Sequence, residues 1–286
     1  MGCEVVKMEI KKRSLRQSLR IYKPFTIGRV QEQLAYKWPF YLFLFSSMLS
    51  LLVGYYLWRA IYNSSSSVSL GGFTQNEMIV YIFMSYVTSN LVRVSVTRDI
   101  GNDVVEGTIA MNLVKPISYQ VRLFFSSIGN VIFRFFIPGL PIWIVMSILR
   151  YVNLLEYPPS PLVIVLYLVS VCFSFGIMFL FDFCFGLLAF YTTYVWGLNL
   201  AKQAILGFLT GQLIPLAFFP ETIQRIFDFL PFASMNYTPV MIYLNKMPLE
   251  RVVFSMGIQV IWIIILYLIA NYFWKRVTKR ITVLGG

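Results

Sequence analysis

Six long apolar stretches constrain this 286-residue chain more than any other feature. They cover residues 38–61, 78–96, 123–149, 162–194, 204–219 and 252–274. Runs of about 20 apolar residues match the ~30 Å hydrocarbon core of a bilayer, where only structures with internally satisfied backbones survive. Composition agrees, with 58% hydrophobic, 17% aromatic and 13% charged residues, against about 25% charged in a soluble domain. The expected fold is therefore an all-α integral membrane protein with six transmembrane helices. The fourth stretch exceeds what a bilayer requires, so its helix either tilts strongly or projects beyond the lipid.

The net charge of +12 invites a nucleic-acid reading, but basic residues in a membrane protein are first of all topology signals and headgroup contacts. The expectation is membrane lipids as partners and no nucleic acid. Residues 1–37 carry nine Lys or Arg against Glu4, Glu9 and Glu32. Pro24 is expected to divide this segment. Beyond it Ile27, Val30, Leu34 and Trp38 recur at helical spacing, as in an amphipathic helix lying on a membrane surface. The chain thus divides into a basic cytoplasmic N-terminus with an interfacial helix (1–37) and one six-helix transmembrane domain (38–286). Of the 24 Lys and Arg residues, 18 fall on the side shared by both termini. Five fall on the other (Arg59, Arg150, Arg225, Lys246 and Arg251), and Arg134 lies within a span. That asymmetry places both termini in the cytoplasm of a multi-pass protein of the cell's inner or plasma membrane. On the opposite side, residues 63–67, Gly71-Gly72 and Tyr157-Pro158-Pro159 read as loops and turns.

The N-terminus is too charged for a secretory signal peptide. Val6 stands where a myristoylation pattern after Gly2 wants Ser or Thr. Cys3, Cys172 and Cys184 imply no disulfide framework. There is no histidine, which removes the commonest general base and metal ligand, and no acidic cluster has metal-binding spacing. No Gly-Lys pair occurs anywhere, so the chain has no Walker-type phosphate loop. An enzyme is not expected, nor any bound metal or cofactor.

One long polar segment interrupts the apolar pattern, residues 98–116, RDIGNDVVEGTIAMNLVKP. Arg98, Asp99, Asp103, Glu106 and Lys115 are charged, while Val104, Val105, Ile109, Met111, Leu113 and Val114 are apolar. The pattern predicts a short amphipathic element opening near Gly101 and stopping at Pro116. Flanked by spans, it lies at a membrane surface, where it is expected to receive force from a partner protein.

Two charges fall inside apolar spans, Arg134 and Asp182. Counted from the expected outer turn they lie about 16 and 20 residues deep, a difference of about 6 Å at 1.5 Å per residue. They form either a proton or substrate site or, as intramembrane charges usually do, a pair joining two helices. Gly207 and Gly211 form a small-xxx-small pattern that could bring helices close. The Phe218–Phe232 region, rich in Phe and broken by Pro220 and Pro231, fits a re-entrant or interfacial helix pair and an ordinary outer loop equally well.

The chain resembles the membrane subunit of ATP-binding-cassette exporters of the type-two export permease family. The likeness begins at YKWPF (36–40) and Leu57-Trp58-Arg59-Ala60-Ile61-Tyr62. It is strongest from Ile100-Gly101 through Glu106-Gly107-Thr108-Ile109-Ala110 to Leu113-Val114-Lys115-Pro116-Ile117, and continues in GQLIPLAFFP (211–220) and Phe229-Leu230-Pro231-Phe232. The resemblance implies that residues 98–116 are a coupling helix docking on an ATPase, through Asp99, Asp103, Glu106, Gly107, Thr108, Leu113, Lys115 and Pro116. It implies a dimer of permeases, homomeric or heteromeric, with two ABC ATPase subunits that hold the ATP and Mg. It favours short broken helices over a plain loop at 219–233, with Pro215, Phe218, Phe219, Pro220 and Pro231 at an extracellular gate. It also implies a central path lined by spans one, two and five. No obvious polar pocket specifies a substrate, so the expected cargo is hydrophobic or amphiphilic: a peptide, a lipid-linked molecule or a drug-like compound. The alternative is a proton-coupled secondary transporter, for which Asp182 is the candidate acid.

Overall fold

The structure is a computed structural model that describes residues 15–35, 37–65, 67–154, 159–192 and 195–284. Gly2, Cys3, Lys7, Lys11, Lys12, Arg13 and the Tyr157-Pro158 part of the expected turn lie outside the described residues.

Helix α1 (Leu15–Ala35) contains Pro24 rather than ending at it. Proline there removes one backbone donor, and the helix runs on packed against a second helix, residues 119–134. Tyr22 stacks on Phe125 at 5.4 Å and the Thr26 hydroxyl donates to the Phe125 carbonyl at 2.8 Å. Gly129 permits this approach, since a Cβ there would sit 2.5 Å from the Thr26 carbonyl oxygen. Ile27 and Leu34 remain exposed.

Helix α2 (Lys37–Ser64) leads to a two-stranded hairpin, β1 (Ser69–Leu70) and β2 (Phe73–Thr74). Gly71 and Gly72 form its turn with φ of 55° and 79°, the positive values that a tight antiparallel turn demands. Thr74 and Glu77 then close a reciprocal capping box at the start of α3 (Gln75–Val92). After an irregular link come α4 (Val96–Val105), α5 (Thr108–Val114) and α6 (Tyr119–Arg134). A π-helical turn, Phe135–Gly139, joins α6 to α7 (Leu140–Leu154) and absorbs Pro138, which has no N–H to donate.

Helix α8 (Pro161–Gly186) ends in a 3-10 turn, Leu187–Phe190, and α9 (Val195–Leu209) follows. A 3-10 turn (Leu216–Phe218), α10 (Glu221–Phe229), α11 (Pro231–Met235) and α12 (Tyr237–Tyr243) precede α13 (Leu249–Leu284).

Five helical segments among the described residues are long and apolar enough to cross a bilayer: Tyr41–Ser64, Gln75–Val105, Tyr119–Ile148, Pro161–Phe190 and Leu249–Lys279. The chain is a multi-pass, all-α membrane protein apart from the hairpin. The segment expected as span five differs from the other five, because α9 has 15 residues, about 22 Å against a hydrocarbon core of ~30 Å.

Residues buried between the spans are not all apolar. Gln259 on α13 is fully buried, accepts from the Ser170 hydroxyl at 3.1 Å and donates to the Ser234 carbonyl at 3.0 Å. The network joins α8, α11 and α13, and leaves these polar groups satisfied where water is absent.

Candidate functional site

The chain leaves α3 at Val92 and re-forms a helix at Val96, and side chains from four other helices converge on the link. On the α8 side, the backbone N–H of Thr97 donates to Asp182 Oδ2 at 3.0 Å. The Thr97 hydroxyl is 2.8 Å from Asp182 Oδ1 and 2.9 Å from Lys202 Nζ. Lys202 Nζ also pairs directly with Asp182. Asp182 is 1% exposed, Lys202 5% and Thr97 fully buried. A carboxylate at the first turn of α4 suits the exposed N–H groups there. Gly186 allows the close contact, because a Cβ at that position would lie 2.9 Å from Ile100 Cδ1 and 3.1 Å from Thr97 Cα.

The expected pairing of Arg134 with Asp182 is therefore incorrect. Arg134 Nη1 instead donates to the carbonyl of Arg93 at 2.7 Å, satisfying an orphan acceptor at the end of α3. The correct partner of Asp182 is Lys202, which lies on α9, within a helix rather than in a loop.

On the α1 side, Arg29 Nη2 reaches both oxygens of Asp99 at 3.0 and 3.1 Å and the Ser95 hydroxyl at 3.2 Å, while Nη1 bonds Glu32 at 2.9 Å. Burial disfavours the Arg29 charge, but the carboxylates of Asp99 and Glu32 more than offset it and raise its pKa above the ordinary arginine value.

Asp103 is the centre of a second cluster. It accepts from the hydroxyls of Thr108 at 2.9 Å and Tyr119 at 2.7 Å, from Asn112 Nδ2 at 3.1 Å and from Arg122 Nη2 at 3.0 Å. Tyr119 in turn stacks on Trp274 of α13, 5.2 Å away and parallel to it. Gly107, with φ of 73°, turns the chain from α4 into α5 so that Thr108 and Asn112 fold back on Asp103.

These bonds divide the eight expected docking residues into two groups. Asp99, Asp103 and Thr108 face inward and hold the α4–α5 unit together, and Leu113 is partly buried. Glu106, Gly107, Lys115 and Pro116 are exposed at its tip, beside three apolar side chains, Val105 (62% exposed), Met111 (61%) and Val114 (77%). The sequence pattern marks those three as apolar but does not reveal that they point away from the protein.

At the other end of the bundle, around the hairpin, a second break separates α9 from α10. Gly211, with φ of 75°, ends α9, and its carbonyl accepts from the buried Tyr81 hydroxyl at 2.6 Å. Ser85 donates to the Gln212 carbonyl at 3.3 Å and accepts from Asn236 Nδ2 at 2.7 Å. Of the expected gate residues, Pro215 is buried and Phe218 packs on Trp58 at 5.2 Å. Phe219 packs on Phe227 at 5.8 Å, Pro220 caps α10, and Pro231 opens α11. Gln224 on α10 donates to the carbonyls of Ala217 and Phe219. A cavity of about 150 Å³ lies between Leu216, Gln224, Tyr237 and the paired Asp228 and Arg251. Burial pushes the pKa of the Tyr237 phenol up to about 12. So the region consists of short broken helices packed on the spans rather than a loop.

A family model described as "ABC-2 family transporter protein" matches residues 48–285, from within α2 to the end of α13. The chain belongs to the ABC-2 transporter family. It is a membrane permease subunit, a component that is generally not catalytic and whose family implies association with ABC ATPase subunits. No curated protein matches the chain in sequence.

Proposed function

We propose that this permease works in an exporter whose ATP is hydrolysed by separate subunits that dock on the α4–α5 tip. The observation that carries this reading is the division of residues 98–116. Asp99, Asp103 and Thr108, which the folded unit needs for itself, are used internally, and the exposed tip is apolar, with Glu106 and Lys115 at its rim and Arg98 and Asn102 exposed nearer the start of α4. An apolar patch with a polar rim is what a protein interface presents. The inward groups give the patch a stiff mounting, since α4 is bonded to α1, α6, α8 and α9.

In this proposal ATP and Mg bind on the partner, and closure of the ATPases pushes the tip. The shift passes through Thr97, Asp182 and Lys202 into α8 and α9, and through Arg134 into α6. The α4–α5 end and both termini face the cytoplasm, in keeping with the distribution of Lys and Arg. α9, together with the break after it, acts as the sixth, short span. A second permease subunit covers part of the apolar surface of α2, where Tyr41, Phe45, Met48 and Leu52 are exposed. Pro215, Phe218, Phe219, Pro220 and Pro231 form the outer gate, and the cargo is hydrophobic or amphiphilic.

Proton coupling through Asp182 finds no support in its surroundings. The carboxylate is held by Lys202 and by the Thr97 amide, so protonating it would leave a lysine buried and unpaired. The test is purification from the native membrane, comparing wild type with Glu106→Lys/Gly107→Pro. An ATPase that accompanies the wild type alone supports the reading. An ATPase retained by the variant moves the interface elsewhere, and ATP-independent transport in reconstituted vesicles refutes the exporter.

A further inference from the structure

Four arginines lie at or bond to the link where α3 gives way to α4. Arg134 is bonded to the Arg93 carbonyl, and Arg29 reaches Ser95 and Asp99. The positive charges of Arg93, Arg98 and Arg29 all act on Arg134. The carboxylates in this cluster are already engaged, Asp99 and Glu32 with Arg29 and Asp182 with Lys202. Among the described residues, none of Arg93, Arg98 and Arg134 is paired with a carboxylate, and Arg93 and Arg98 are exposed.

Depth identifies what this excess charge meets. The 18 residues of α3 span about 27 Å, nearly the thickness of the hydrocarbon core. Counted from the hairpin, Arg93 therefore emerges at headgroup level, and Arg134, bonded to it, shares that level. The tip of α5 is elsewhere: Arg134 lies 15 residues, about 22 Å, along α6 from Tyr119 in the Asp103 cluster. Cations at this depth match an amphiphile with an anionic head better than a soluble anion or an acidic protein surface.

We propose that Arg93, Arg98 and Arg134 bind the phosphate of an anionic phospholipid headgroup. The site requires this end of the spans to lie at a membrane surface. It requires neither ATPase docking at the α5 tip nor transport in a given direction, so it stands or falls separately from the exporter reading.

The test is native mass spectrometry of the full chain released from micelles holding equal amounts of phosphatidylglycerol and phosphatidylcholine. Wild type is expected to retain phosphatidylglycerol roughly tenfold or more over phosphatidylcholine. Arg93→Gln/Arg98→Gln should lose that preference while unfolding at the wild-type temperature, because the bond from Arg134 to the Arg93 carbonyl survives. Arg225→Gln, which removes one charge at the opposite end, should keep it, and inorganic phosphate at millimolar concentration should not displace the lipid. Equal retention of the two lipids by wild type overturns the proposal, as does a preference that survives the double substitution or disappears equally in Arg225→Gln. Displacement by inorganic phosphate would reassign the site to a soluble anion.

Discussion

The two breaks in the apolar chain are held in opposite ways. At the α3–α4 link the fixing groups are charged: Arg134 on the Arg93 carbonyl, Arg29 on Ser95, and Asp182 with Lys202 on Thr97. At the break between α9 and α10 they are neutral: Tyr81 on Gly211, Ser85 on Gln212 and Gln224 on Ala217 and Phe219. Separating a buried charge from its partner leaves an uncompensated ion at a cost of about 3–5 kcal/mol. A neutral hydroxyl–carbonyl bond contributes about 1 kcal/mol net and exchanges for another with little loss. The first break is thus a stiff joint and the second an adaptable one. The proposed mechanism needs that order, with stiffness where force enters and give where the path opens.

The comparison breaks most severely if the charged joint tolerates the loss of a partner. Asp182→Ala should destabilise the protein by about 3–5 kcal/mol, because Lys202 is left buried and alone. Thermal unfolding in detergent would register this, and an unchanged midpoint would mean the joint is not held by the pair. Asp182→Leu/Lys202→Leu should recover most of that stability, so the double variant exceeds the sum of the singles, yet transport should stay impaired because Thr97 has lost its anchor. Next in size is Asp103→Ala, expected to cost about 2–3 kcal/mol through four donors left without their acceptor, and to release any ATPase indirectly by loosening the tip.

At the adaptable joint the effects should be smaller. Gly211→Ala places a side chain at φ of 75° and within 3.1 Å of the Tyr81 hydroxyl, for about 1–2 kcal/mol. Tyr81→Phe should cost about 1 kcal/mol. If Tyr81→Phe matched Asp182→Ala in the same unfolding experiment, the contrast between the two joints would be lost. The smallest stability effect belongs to Met111→Ala at the tip, within about 0.5 kcal/mol of wild type.

Much of this architecture is legible in the sequence, because hydrophobic length and turn residues are local signals. The first apolar stretch, residues 38–61, lies within α2 (Lys37–Ser64), and Gly71-Gly72 makes the expected turn. The polar stretch is helical up to Val114, just before Pro116, although its first helix opens at Val96 rather than near Gly101 and Gly107 divides the stretch in two. What the sequence hides is convergence. Asp103 collects donors 5, 9, 16 and 19 residues away, a pattern with no period that a helix or strand would impose. Lys202 escapes because its neighbourhood reads as a loop, although it stands within the apolar run of α9. A lone charge in an apolar helix is itself a sign of a partner, and that signal would have paired it with Asp182. Depth counting pairs Asp182 with Arg134 because it gives height but not azimuth, and Arg134 faces Arg93 at the end of α3 rather than α8.

The central claim, that force enters at the exposed tip of α4 and α5, is tested most directly by photocrosslinking in native membranes. A photoreactive residue would replace Met111 at that tip or Ile226, exposed on α10 at the hairpin end. Crosslinks to an ATPase subunit from position 111 and none from position 226 are the predicted result. Capture of the ATPase from position 226 instead would contradict both the docking site and the orientation of the protein in its membrane.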